Sequence, residues 1–173
     1  MESFVDSNPV ETRVTCEDWR RSLPDLEALI LVAVKATLSC RAVNPAIAFE
    51  DTEISLLLTD DTHMRQLNAQ FRGEDRPTNV LAFPGANEVD HPVRALGDIV
   101  LAYESVDTEA IAQDKKIADH FTHLIVHGLL HLLGYDHQCD QDAEGMETLE
   151  VQILAALGIT DPYTSAGRSV ADD

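Results

Sequence analysis

A long helical pattern of apolar residues runs from about Ala118 to Leu133, and histidines recur along it at positions 120, 123, 127 and 131. At about 100° per residue these four side chains fall within a stripe roughly 80° wide, so one helix face carries a row of imidazoles. His127 and His131 stand one turn apart, with Cβ atoms about 5 to 6 Å from each other, and both rings can reach one ion. Gly134 ends the pattern with a residue free to take positive φ, and Tyr135-Asp136-His137 follows at once. A chain that turns at Gly134 brings His137 back toward the helical pair. Three neutral imidazoles at zinc–nitrogen distances of roughly 2.0 to 2.1 Å leave a tetrahedral ion one open vertex for water, as in catalytic rather than structural zinc sites. The simpler alternative is a pair of helical histidines and an unrelated loop histidine.

Around this feature the chain reads as an ordinary globular domain. At 173 residues it can bury about 70% of its unfolded surface, so no metal is needed merely to hold the fold, and a metal site asks for a functional reading. Residues 1–173 are expected to form a single domain, with frayed tails at 1–9 and 164–173. Lys and Arg number 12 against 31 Asp and Glu, a net charge of −19, which argues against a surface that grips nucleic acid everywhere. A local basic patch remains compatible with that balance, because the acidic excess is concentrated toward the two ends. Cys16, Cys40 and Cys139 are odd in number and lack CxxC spacing, as expected of reduced thiols. No run approaches the roughly 20 apolar residues of a membrane span, and the start has neither a basic nor an apolar signal region, so a cytoplasmic protein without a membrane partner is expected.

The remaining patterns predict the order βαβαββααα. A weak strand covers Val10 to Cys16, and a helix capped by Ser22 runs from Pro24 to about Ser39, broken by Asn44-Pro45. A buried strand at Ile54–Leu58 leads to a helix from about Asp61 to Phe71, stopped by Gly73. Strands follow at Asn79–Phe83 and Leu96–Tyr103, joined by a loop, and then helices at about 105–116, 118–133 and 142–157. Strands early and helices late predict an α+β fold, one small mixed β-sheet covered by helices.

The segment His127-Gly-Leu-Leu-His-Leu-Leu-Gly-Tyr-Asp-His137 resembles the signature of the YbeY family of bacterial rRNA maturation endoribonucleases at all eleven positions. Leu67-Asn68, Phe71-Arg72-Gly73, Pro77 to Pro84 and Leu96-Gly97-Asp98-Ile99 resemble that family's other blocks in order and spacing, over about residues 50 to 163. Ala82 departs from the pattern, where the family usually carries Ser. The resemblance implies a fold related to zincin-like metalloproteases and one Zn2+ per chain on His127, His131 and His137. It also implies metal-dependent, single-strand endoribonuclease action in rRNA maturation, notably 3′-end processing of small-subunit rRNA, and in ribosome quality control. Ribosomal RNA and the ribosome or a ribosomal protein are then the expected partners.

The residues can be weighed against that chemistry. Zinc proteases of the HExxH type place a general-base Glu after the first His, whereas this chain has Gly128, which disfavours peptide hydrolysis and is expected to leave room over the metal. Phosphodiester cleavage builds charge on phosphate oxygens and calls for a cation and a planar donor fork. Arg72 is the candidate fork, and Arg72 and His131 are the candidate catalytic side chains; an arginine complementing the helix dipole is the alternative reading of Arg72. Arg65 and Arg76 read as surface arginines that could extend a phosphate rim. Arg72, Thr78 and Asn79 are the candidate substrate-binding residues, with strand-end capping the alternative for the last two. Tyr135 or Asp136 could orient a ligand imidazole or simply stabilise the turn. His123 reads as cleft or core edge, and His120 as helix surface. Cys139, as a fourth ligand, would close the site and favour a zinc-stabilised assembly or RNA-binding factor over an enzyme; a zinc protease is the third reading.

Overall fold

Alternate apolar residues in Thr52-Glu-Ile-Ser-Leu-Leu-Leu-Thr59 give the strand around which the molecule is organised. The computed structural model describes residues 8–40, 42–43, 48–86, 93–136 and 139–163. In it β1 (Val10–Val14) and β4 (Arg94–Ala102) flank β2 (Thr52–Thr59) in parallel, and β3 (Val80–Pro84) pairs antiparallel with β4. The sheet order is β1-β2-β4-β3. Helices α1 (Asp18–Ser22), α2 (Leu26–Ser39), α3 (Asp61–Arg72), α4 (Tyr103–Ala112), α5 (Ile117–Leu132) and α6 (Asp140–Ala156) complete the α+β fold expected from sequence.

Because strand side chains alternate between faces, the sheet sorts its apolar residues into two layers. Ile54, Leu56, Leu58, Ile99 and Leu101 pack in the main core with α2, α5 and α6. Leu57, Leu81 and Val100 point the other way, onto Met64 and Leu67 of α3. Every residue of α5 from His120 to Leu130 is buried, so the helix that carries the histidine stripe lies inside the molecule. It packs on β3 and β4 beneath and on α2, α4 and α6 around it. Among the described residues no helix is long and apolar enough to cross a membrane.

Three local expectations are corrected. The five-residue α1 gives no periodic signal, yet it seats the fully buried Trp19, whose Nε1–H donates to the Thr59 carbonyl at 2.9 Å. Ser22 therefore ends α1 rather than capping α2, and its hydroxyl meets the Tyr103 hydroxyl at 2.6 Å. Gly128 does not clear space over a metal: a Cβ there would approach Ile99 Cγ2 at 3.1 Å, so the missing side chain lets α5 lie close on the sheet. Asn44 and Pro45, expected to break the first long helix, lie outside the described residues, as do residues 1–7 and 164–173.

Candidate metal centre and active site

The spacing of His127 and His131 along α5 brings their rings together. Their Nε2 atoms are 3.1 Å apart, with ring centroids 4.6 Å apart and ring planes nearly perpendicular. Two zinc–nitrogen bonds of about 2.0 to 2.1 Å meeting near the tetrahedral angle set their nitrogens about 3.3 Å apart. The observed separation suits two lone pairs directed at one ion, and it also suits an N–H···N hydrogen bond between the rings. His127 is buried and His131 half-buried, so the pair sits where the interior of α5 opens toward solvent.

Behind His127 stands a residue the sequence reading passed over. Glu150 of α6 is fully buried, and its Oε1 lies 2.5 Å from His127 Nδ1 while its Oε2 lies 3.0 Å from His123 Nε2. A carboxylate only accepts, so both rings donate an N–H to it. The Tyr163 hydroxyl, beyond the end of α6, also donates to Oε2. Burial by itself would raise the Glu150 pKa, but the hydrogen bonds from His123 and His127 outweigh it and hold the carboxyl well below the usual range. Burial lowers the His123 pKa, and burial beside the Glu150 carboxylate raises that of the Tyr163 phenol. The signal was present in the sequence. Met146, Glu150, Ile153 and Leu154 share the buried face of α6, so a charged residue occupies a core position of an apolar stripe and must be matched by partners.

His137 lies outside the described residues. The turn that leads to it is described: Gly134 has φ 99°, its N–H donates to the His131 carbonyl at 3.0 Å, and the Tyr135 N–H donates to the Leu130 carbonyl at 3.0 Å. This closes α5 as a glycine-terminated helix. The Tyr135 hydroxyl donates to the Val43 carbonyl at 3.2 Å and so braces the turn against the segment after α2. Cys139 is exposed and sits at the N-cap of α6. Among the described residues no three His, Cys, Asp or Glu side chains form a metal-binding group, so Cys139 does not join His127 and His131.

The other candidates occupy the far end of α3 and the start of β3. Arg72 is exposed in the last turn of α3, which Gly73 ends with φ 71°. Asn68 donates from Nδ2 to the Arg76 carbonyl at 2.8 Å and ties the following loop back to α3. Arg65 pairs through two bonds with Asp75, and Arg76 pairs with Glu74, all of them exposed. Thr78 is half-buried, and its Oγ1 is among the buried side-chain atoms without a hydrogen-bond partner. Asn79 is buried, donates from Nδ2 to Glu109 at 3.0 and 3.1 Å, and accepts the Val80 N–H at 2.7 Å. Glu109 also accepts from His120 Nε2 at 2.7 Å. His120 is thus a buried, paired residue and not helix surface. Ala82 faces the main core from β3, on the same side as α5.

The solution structure of TM1509 from Thermotoga maritima superposes with a TM-score of 0.50, covering 92% of this chain and 99% of that one at 22% identity. The profile of the family described as endoribonuclease YbeY matches residues 13–158. The endoribonuclease YbeY of Bradyrhizobium diazoefficiens is 48% identical over 159 residues, 88% of this chain and 84% of that protein. Its counterpart in Paramagnetospirillum magneticum is 44% identical over 155 residues, covering 87% and 92% of the two chains. One from Rhodopseudomonas palustris is 42% identical over 174 residues, 98% of each chain. The chain belongs to the endoribonuclease YbeY family.

Proposed function

We propose that this chain is a zinc-dependent, single-strand endoribonuclease of ribosomal RNA maturation, acting in the cytoplasm on rRNA precursors, notably at the 3′ end of small-subunit rRNA, and in ribosome quality control. Its relatives carry the name endoribonuclease, and one geometric observation supports the metal: two imidazole Nε2 atoms 3.1 Å apart, one of them on a ring whose Nδ1 is held by a buried carboxylate. Metal-ligating histidines commonly donate their second N–H to such an acceptor.

In this reading His127 and His131 supply two ligands and His137 the third. A bound zinc ion supplies Lewis-acid polarisation and activated water at neutral pH. Arg72 binds the scissile phosphate through its planar fork and stabilises charge developing on its oxygens. Thr78 contacts the substrate through its hydroxyl. Asn79 shares the substrate-binding assignment by fixing the start of β3, and hence Thr78, through Glu109. The protease alternative lacks its base, because position 128 faces Ile99 across a closely packed helix–sheet contact. A net charge of −19 disfavours tight binding of naked RNA, so the ribosome or a ribosomal protein is the partner that delivers the substrate.

Metal analysis of the full chain, combined with cleavage of a defined single-stranded rRNA precursor by wild type and by His131→Ala, tests this. Wild type should hold one zinc per chain and cut; the variant should lose both properties. Wild-type cleavage rates in the variant would sink the reading.

A further inference from the structure

The two nitrogens of the His127 ring face different partners: Nδ1 faces Glu150 Oε1 at 2.5 Å, and Nε2 faces His131 Nε2 at 3.1 Å. In a neutral imidazole one nitrogen carries the proton and the other the lone pair, and the hydrogen bond at one side decides which. We propose that Glu150 is a positioning residue for the metal centre: from α6 it fixes His127 as the Nδ1–H tautomer and so presents the Nε2 lone pair toward His131 and the ion. This rests on the zinc reading above.

The carboxylate is itself held in place. Oε1 receives His127, while Oε2 receives His123 Nε2 at 3.0 Å and the Tyr163 hydroxyl. These donors come from two turns of α5 and from the segment after α6, so the carboxylate is fixed from both sides. Because Glu150 is fully buried, solvent cannot rotate or replace it. The arrangement needs both carboxylate oxygens as acceptors. A glutamine keeps the volume but turns one acceptor into an NH2 donor, which must then face either His127 Nδ1–H or the His123 and Tyr163 donors. Either orientation breaks part of the network and removes the negative charge that favours a proton on Nδ1. The same network docks α6 on α5, so the test must separate positioning from mere structural support.

The experiment uses the full chain. Long-range 1H–15N correlation spectra of wild type, zinc-free and then with zinc added, report the tautomer of each ring. Zinc affinity is measured in parallel by chelator competition for wild type and Glu150→Gln, with circular dichroism as the check on folding. The proposal expects His127 to be Nδ1-protonated in zinc-free wild type and Glu150→Gln to bind zinc about 10- to 100-fold more weakly while retaining its fold. An Nε2-protonated His127 in wild type overturns it even if the variant does not fold. Unchanged zinc affinity in folded Glu150→Gln also overturns it while leaving the zinc reading intact. Failure of wild type to take up zinc at all overturns the zinc reading, and the proposal with it.

Discussion

Gly128 of α5 lies against Ile99 of β4 so closely that an added Cβ would stand 3.1 Å from Ile99 Cγ2 and 3.3 Å from Cδ1. Recreating the protease pattern with Gly128→Glu would drive a long side chain and a charge into an apolar helix–sheet contact. Overpacking there costs typically 1–3 kcal/mol, and the poorly compensated carboxylate adds to it. The expected result is a loss of at least about 2 kcal/mol in urea unfolding with no gain of peptidase activity. A variant as stable as wild type would show that α5 can move away from Ile99 at little cost.

Gly128 also marks where sequence stopped being a guide. Periodicity located β2, α3, β4 and α5 because each buries one regular face or is buried throughout. The HxxxH spacing likewise foretold that the rings of His127 and His131 would meet, since that is a property of one helix. What periodicity could not say is which neighbour each face meets. The side of α5 at Gly128 turned out to face the sheet, and Glu150, far along the chain, turned out to sit behind His127. Trp19 was hidden for a different reason: a five-residue helix is too short to show a period, and its value lies in one indole against Thr59, Tyr103 and Phe121. His120 looked like surface because its partner Glu109 comes from another helix.

Glu109 joins three elements by accepting from Asn79 and His120, with its own side chain about one-third exposed. Hydrogen bonds to a charged acceptor contribute about 1.5–3 kcal/mol when sheltered, and partial exposure pulls this toward the lower end. Asn79→Ala is expected to cost about 1–2 kcal/mol, since it also releases the Val80 N–H from its cap. A double-mutant cycle with Glu109→Ala, read by urea unfolding, should give a coupling of about 0.5 kcal/mol or more. Strict additivity would mean that the two side chains do not act together.

Gly134 takes φ 99° with no atom within 4 Å of a built Cβ, so the penalty for a side chain there is conformational and not steric contact with neighbours. Gly134→Ala should cost about 1–2 kcal/mol in stability. Under the proposed ligand set the same change misdirects the chain toward His137 and should weaken zinc binding as well. Calorimetry alongside chelator competition separates the two effects; loss of stability with fully retained zinc affinity would argue against His137 as the third ligand.

Arg72 is exposed in the last turn of α3, beside the loop where Arg65 pairs with Asp75 and Arg76 with Glu74. In a chain of net charge −19, each cation that meets a phosphate makes a measurable contribution. Arg72→Ala should cut cleavage by about 100- to 1,000-fold, the range seen when a donor to a developing oxyanion is removed. Metal content should not change, because Arg72 is not among the proposed ligands. Arg72→Lys should recover little, since a point charge lacks the planar fork. Single-strand binding falls with salt by roughly 0.7 in log–log slope per phosphate contacted, so the variant's slope should be shallower by about that amount. An Arg72→Ala protein that keeps both its cleavage rate and its salt slope would remove Arg72 from the site and move the search for the phosphate contact to Thr78 and the start of β3.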